Sequence, residues 1–282
     1  MTSQVMAAQR VLGYRAAMHN VQPVGAQLRE WRQRRRLSQL DLAGHAEVST
    51  RHLSYLETGR AQPSREMVLR LADRLEVPLR ERNRLLTAAG FAPLYREHAL
   101  ADPEMRAPAQ AVDLVLKAHE PYPALAVDRH WTMIACNRMV PLLLAELPPE
   151  VVAPPLNVLR LSLHPQGLAP RIVNLPAWRA HLLHRLQLQV RSSGDPVLAA
   201  LADELRGYPV PGGERSDPVP PDNPVYVPLQ LQTAVGMLHF ISTITVFGTP
   251  TDITLSELAL ETFFPADAAT AAALRQLADT LR

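Results

Sequence analysis

One cysteine, Cys136, and one lysine, Lys117, stand in a chain of 282 residues. A lone cysteine excludes an intramolecular disulfide and cannot by itself build a thiolate metal site. No stretch approaches the roughly 18 consecutive apolar residues that a membrane helix needs. The opening "MTSQVMAAQRVLGYRAAMHN" lacks the uninterrupted apolar core of a signal peptide. These absences lead us to expect a cytoplasmic protein with no membrane partner. Also missing are GxGxxG, GxxxxGK[ST] and GxSxG, the loops that cradle phosphates or raise a nucleophile. No internal repeat of about 20 to 50 residues runs through the chain.

What is present is arginine, and it is unevenly placed. Residues 25–97 carry 14 arginines against 9 acidic residues, a local charge of +5 within a total of +2, so the remainder sums to −3. A G+C-rich genome would raise arginine everywhere, but it would not cluster it. Arginine's planar fork suits phosphates and guanine edges.

The texture divides the chain into an N-terminal arm at 1–22, a helical domain at 23–92, a proline-bearing linker at 93–108 and a mixed domain at 109–282. In the last, "YPALAVDRHWTMIAC" reads as two strands joined by a tight turn at Asp128, Arg129 and His130. Pro176 opens one helix, and Asp195 caps a second with Pro196 at its first position. "VYVPLQLQ" alternates, "MLHFISTITVF" is β-branched and aromatic, and "ITLSELALETFF" is expected as a third strand. A C-terminal helix closes the chain. The expected fold class is mainly α with α+β: a five-helix domain, then an antiparallel sheet packed by helices.

Within the helical domain, "LSQLDLAGHAEVSTRHLSYLETGRAQPS" holds two short helical patterns about a three-residue joint, Ala46, Glu47 and Val48. Ser49 is placed to cap the second helix. That helix buries Leu53 and Leu56 and turns Thr50, Arg51, His52, Ser54 and Tyr55 outward, and Gly59 ends it. The geometry is that of a helix-turn-helix, whose second helix matches the width of the major groove. The motifs "SQxxLA", "VSxxxLSxxExG", "PS" and "LAxxLxV" resemble the Cro/CI-like, XRE family of regulators over residues 25–89. The resemblance implies that Gln39 touches a phosphate and that Thr50, Arg51 and Tyr55 face base edges. It also implies that Arg65 reaches the minor groove or backbone, and that Arg32 and Glu57 form an ion pair. Ser49, His52 and Arg60 complete the candidate DNA-binding set. Where that family usually has glycine in the joint, this chain has Glu47.

Other constellations carry less. His181 and His184 share a helix face, with His164 upstream, but no carboxylate or thiol stands at ligand spacing, so no metal site is expected. Cys136 alternates in phase with apolar strand residues and reads as a small buried hydrophobe rather than a nucleophile paired with His130. No catalytic residues are assigned, and no enzyme is expected.

The second domain places Trp131, Trp178, Phe240 and Phe247 on expected interior faces. "LAVDRHWTMIACN", "NVLRLSLHP" and "WRAHLLHRL" resemble the PAS-like ligand-binding domain of MmyB-type regulators across residues 108–265, although "GLAPRIVNLPAW" departs from that pattern. The resemblance implies a small apolar, fatty-acid-like effector and a homodimer, with no other cofactor. Trp178 and Leu182 stand four apart on one helix, and His239 and Ile241 share one strand face. With Trp131 they form the expected pocket lining, and Asn137 or Arg185 the polar anchor. Three classes thus compete: a ligand-responsive regulator binding double-stranded DNA, an enzyme fused to a DNA-binding module, and a regulator whose C-terminal domain binds a partner protein or only dimerises. The first is the expectation.

Overall fold

Ser38, Ser49 and Ser64 each open a helix in the computed structural model, which describes residues 22–209 and 226–280. Two units divide between Arg96 and Glu97. The arm expected at 1–22 lies, but for Gln22, outside the described residues.

The N-terminal unit holds the five expected helices: α1 (Val24–Arg34), α2 (Gln39–His45), α3 (Thr50–Glu57), α4 (Arg65–Arg74) and α5 (Leu79–Ala88). Their starts are local chemistry. Ser38 Oγ accepts from Asp41 N at 3.1 Å while Asp41 Oδ2 accepts from Ser38 N at 2.9 Å, a reciprocal cap. Ser49 Oγ accepts from His52 N, and Ser64 Oγ from Met67 N. Leu28, Leu42, Leu53, Leu56, Leu71 and Leu85 then meet in one core. Gly25 is required there, because a Cβ on it would stand 2.1 Å from the carbonyl oxygen of Leu56. α1 therefore crosses the end of α3 closely.

Arg32 and Glu57 lock that crossing. Arg32 Nε and Nη2 donate to the two carboxylate oxygens of Glu57 at 2.6 and 2.9 Å, and Arg32 Nη1 donates to Leu37 O at 2.8 Å. The Glu57 side chain is only 1% exposed, and its carboxylate raises the pKa of Arg32 further above its ordinary value.

The joint is left-handed, as the family pattern implies, with φ of 56° at Glu47. Glu47 N and Val48 N close the turn onto Gly44 O and Ala43 O. Arg36 and Glu76 hold the same conformation after α1 and α4, at 55° and 48°.

Residues 93–108, expected as a linker, are tied down at Leu94, Tyr95 and His98. Asn83 Oδ1 accepts from the backbone N–H groups of Leu94 and Tyr95 at 2.8 and 3.0 Å, anchoring them to the first unit. His98 Nδ1 pairs with Asp252 Oδ2 at 2.8 Å in the second. A 3-10 turn, Pro103–Met105, leads directly into α6 (Arg106–Ala118).

The second unit continues with β1 (Ala124–Val127), β2 (Met133–Cys136), α7 (Met139–Leu144), α8 (Pro149–Val152), α9 (Val158–Leu163), α10 (Leu175–Ser193), α11 (Pro196–Arg206), β3 (Leu229–Thr233), β4 (Gly236–Val246), α12 (Ile253–Ser256), β5 (Ala259–Pro265) and α13 (Ala268–Asp279). The sheet is antiparallel, in the order β2-β1-β5-β4-β3. The β1–β2 connection is longer than the three-residue turn expected. Asp128 Oδ1 accepts from both His130 N and Thr132 N at 2.8 Å, and Trp131 takes a φ of 67°. "ITLSELALETFF" is not one strand: Asp252 caps the helical turn α12 through Leu255 N, and β5 starts only at Ala259. Pro176 and Asp195 open α10 and α11 as expected.

Two outcomes follow from the first unit. Glu47→Gly should raise its stability in urea unfolding by about 0.5–1 kcal/mol, because the left-handed penalty of about 1–2 kcal/mol outweighs glycine's extra chain entropy. Truncating Arg32 or Glu57 alone to Ala should cost about 3–5 kcal/mol, since the partner is left as an unpaired buried charge. The double variant should cost well below the sum, and a double-mutant cycle with coupling near zero would refute the pair.

Candidate DNA interface and effector cavity

α3 presents its outward face through side chains that hold one another. Arg51 Nε donates to the Tyr55 hydroxyl at 2.9 Å, one turn along the helix. The guanidinium groups of Arg51 and Arg60 lie over the Tyr55 ring at 5.4 and 5.9 Å from its centroid. Tyr55 thus orders two arginines that free rotation would otherwise blur, and among the described residues the Nη atoms of Arg51 have no hydrogen-bond acceptor. Arg51, Arg60 and Arg65 are exposed, and Thr50, His52 and Tyr55 are half-buried. Ser49 spends its hydroxyl on the cap. Gln39 Nε2 donates to Glu57 Oε2 at 2.8 Å, which ties the start of α2 to the ion pair.

The second unit holds a partly open cavity of about 90 Å³ between the sheet and α10, with walls almost wholly apolar. Leu125, Met133, Phe240 and Phe263 form its sheet side, Trp178, Leu182 and Arg185 its α10 side, and Leu143, Val158 and Leu161 the end made by α7 and α9. Trp178 is fixed by a bond from Nε1 to Ser162 Oγ at 2.9 Å and by His181 stacked at 5.5 Å. Burial beside Arg185 and His184 holds the His181 imidazole below its ordinary pKa, hence neutral.

Of the seven residues expected at this site, Trp178, Leu182 and Arg185 line the cavity. The other four do not, each for a definite reason. Trp131 is buried behind Arg185, which stacks over its ring at 4.3 Å, and its Nε1 is held by Gln189 Oε1 at 2.7 Å. Asn137 spends its whole amide on backbone: Oδ1 accepts from Ala124 N and Met139 N, and Nδ2 donates to Leu116 O and Tyr122 O. His239 and Ile241 share a strand face, but the wrong one. Leu238 and Phe240 turn inward, while His239 pairs with Asp267 and Ile241 stands opposite the exposed Phe264.

The residue missed by the sequence reading is Glu261, whose signal was an acid inside a mainly apolar strand. It lies in the cavity wall, its side chain 5% exposed, and accepts from Arg185 Nη1 at 3.2 Å. Burial pushes its carboxyl above the ordinary range against the opposing pull of Arg185. Cys136 is half-buried, and burial pushes its thiol up, away from nucleophile chemistry. No three His, Cys, Asp or Glu side chains converge as a metal site among the described residues. None of the helices among them is long and apolar enough to cross a membrane.

Comparison with known families places both halves. Residues 23–85 match a helix-turn-helix domain, a stretch that contains α2, the joint at Glu47 and α3. Residues 108–277 match the MmyB-like transcription regulator ligand binding domain, the stretch that contains the cavity. Comparison with curated proteins finds no match. A helix-turn-helix with an ordered arginine face, followed by a ligand-binding domain with an apolar chamber, makes this chain a member of the family of transcription regulators that carry an MmyB-like ligand-binding domain.

Proposed function

We propose that the chain is a sequence-specific, cytoplasmic DNA-binding regulator, without catalytic activity, whose C-terminal unit senses a small apolar, fatty-acid-like effector. The observation that carries the DNA side is the Arg51–Tyr55–Arg60 cluster. Tyr55 holds the Nε side of Arg51, and the free Nη atoms are then presented as a fork that matches the O6 and N7 acceptors of guanine in the major groove. Local excess arginine supplies the phosphate attraction, so affinity falls steeply as salt rises. A homodimer would place two recognition helices on half-sites about 34 Å apart, giving a pseudo-palindromic operator.

The sensing side is supported by the apolar chamber with one polar edge, the usual composition of a small-molecule site. To regulate, the effector must bind the DNA-competent and incompetent arrangements unequally, because equal affinity shifts nothing.

Arg51→Ala should cost about 1–3 kcal/mol at the cognate operator and relax preference at one base pair, read by binding to a randomised-site library. Uniform weakening on every sequence would instead make Arg51 a phosphate contact. With effector bound, operator affinity should change roughly 5- to 150-fold, and Trp178→Ala should abolish that change while leaving effector-free DNA binding intact. A C-terminal unit that captures a partner protein and no small molecule would support the partner-binding alternative.

A further inference from the structure

The effector chamber leaves one requirement unmet. Arg185 gives Nη1 to Glu261, yet its Nε and Nη2 are withdrawn from solvent without an acceptor. Those two atoms form the edge of the guanidinium that grips a carboxylate with both its oxygens. Arg32 uses the same edge on Glu57 in the first unit, and there both bonds are made.

Resting on the effector reading above, we infer that an acid-headed effector displaces Glu261 as the counter-ion of Arg185: the ligand carboxylate takes the Nε/Nη2 edge, and Glu261 takes up one proton from solvent. The charge count requires it. One guanidinium facing two carboxylates in an apolar chamber carries a net negative charge, and like charges so close do not both stay ionised. Glu261 is the carboxyl that yields, because burial already opposes its ionisation. Once protonated it offers an O–H to the ligand, so the exchange leaves no new orphan.

The surroundings add no competing charge. On α10, Arg185 is the charge that bears on Glu261, while His181, close enough to feel that charge, is held neutral and His184 lies one residue from Arg185. Across the sheet, Glu261 stands opposite Leu125 on β1 and Ile244 on β4. The residues of α7 and α9 that line the chamber are uncharged. The site would therefore answer to effector and pH jointly.

The test titrates the full chain with butanoate, hexanoate and octanoate, each against the alcohol of equal length, between about pH 6 and 8. Calorimetry in phosphate and in Tris counts the protons exchanged. Acids should bind at least about tenfold tighter than alcohols and take up close to one proton. Their affinity should fall by up to about tenfold per pH unit over the range in which free Glu261 is ionised. The alcohols should be flat in pH. Glu261→Gln should bind hexanoate with no pH slope and no proton uptake. Alcohols binding as tightly as acids, or acids binding without proton uptake, would overturn the inference and leave the effector reading standing. No binding by either series would remove both. Should Glu261→Gln fail to fold, the acid–alcohol comparison and the proton count on the unaltered chain still decide.

Discussion

The bidentate pair of Arg32 and Glu57 sets the orientation of everything the first unit presents to DNA. α3 has only eight residues, too few to persist by its own hydrogen bonds, so its existence and its rotation both come from packing. Leu53 and Leu56 fix which stripe is buried, but two leucines alone would tolerate some roll about the helix axis. Glu57, gripped by Arg32 from α1 and by Gln39 from α2, removes that freedom. Gly25 lets α1 come near enough for the grip to form. The outward direction of Thr50, Arg51 and Tyr55 is the consequence.

The second unit contains the same pair chemistry in an unfinished state. In both places an arginine and a glutamate are buried together, an arrangement that is poor value for stability when apolar residues of similar size could fill the space. Around Glu57 the bonds are complete, and the pair serves geometry. Around Glu261 a single long bond is made, two arginine donors are left over, and the neighbouring space is a chamber rather than packed side chain. The difference in completion separates a closed pair from one with guanidinium donors to spare.

Much of this was legible because much of it is local. Serine and aspartate caps, proline at a helix start and the joint at Glu47 depend on a few consecutive residues, and they fell where the sequence put them. The ion pair was legible only through family resemblance, since nothing in spacing alone brings residue 32 to residue 57. The chamber was half legible. Alternation along β4 reveals a period of two but not which half of it faces inward; Leu238 and Phe240 outcompete His239 and Ile241 for the interior by apolar bulk. α12 misled for another reason: "ITLS" has strand composition, and the carboxylate of Asp252 ahead of it wins by capping a turn. Asn137 misled because a polar side chain near a pocket invites a ligand role, whereas backbone groups at Ala124, Met139, Leu116 and Tyr122 had already claimed all its bonds.

The walls of the chamber differ in how they are held. The sheet side rests on paired strands, and α10 runs nineteen residues with Trp178 and Trp131 pinned on it or against it by hydrogen bonds. The remaining wall comes from α7 and α9, six residues each, with the four-residue α8 between them. Such short helices have little cohesion of their own, and Leu143, Leu144 and Val158 on them are only partly buried. On the effector reading proposed above, a head group at Arg185 would meet the wall held by α10, and an apolar tail would run toward the short helices α7 and α9.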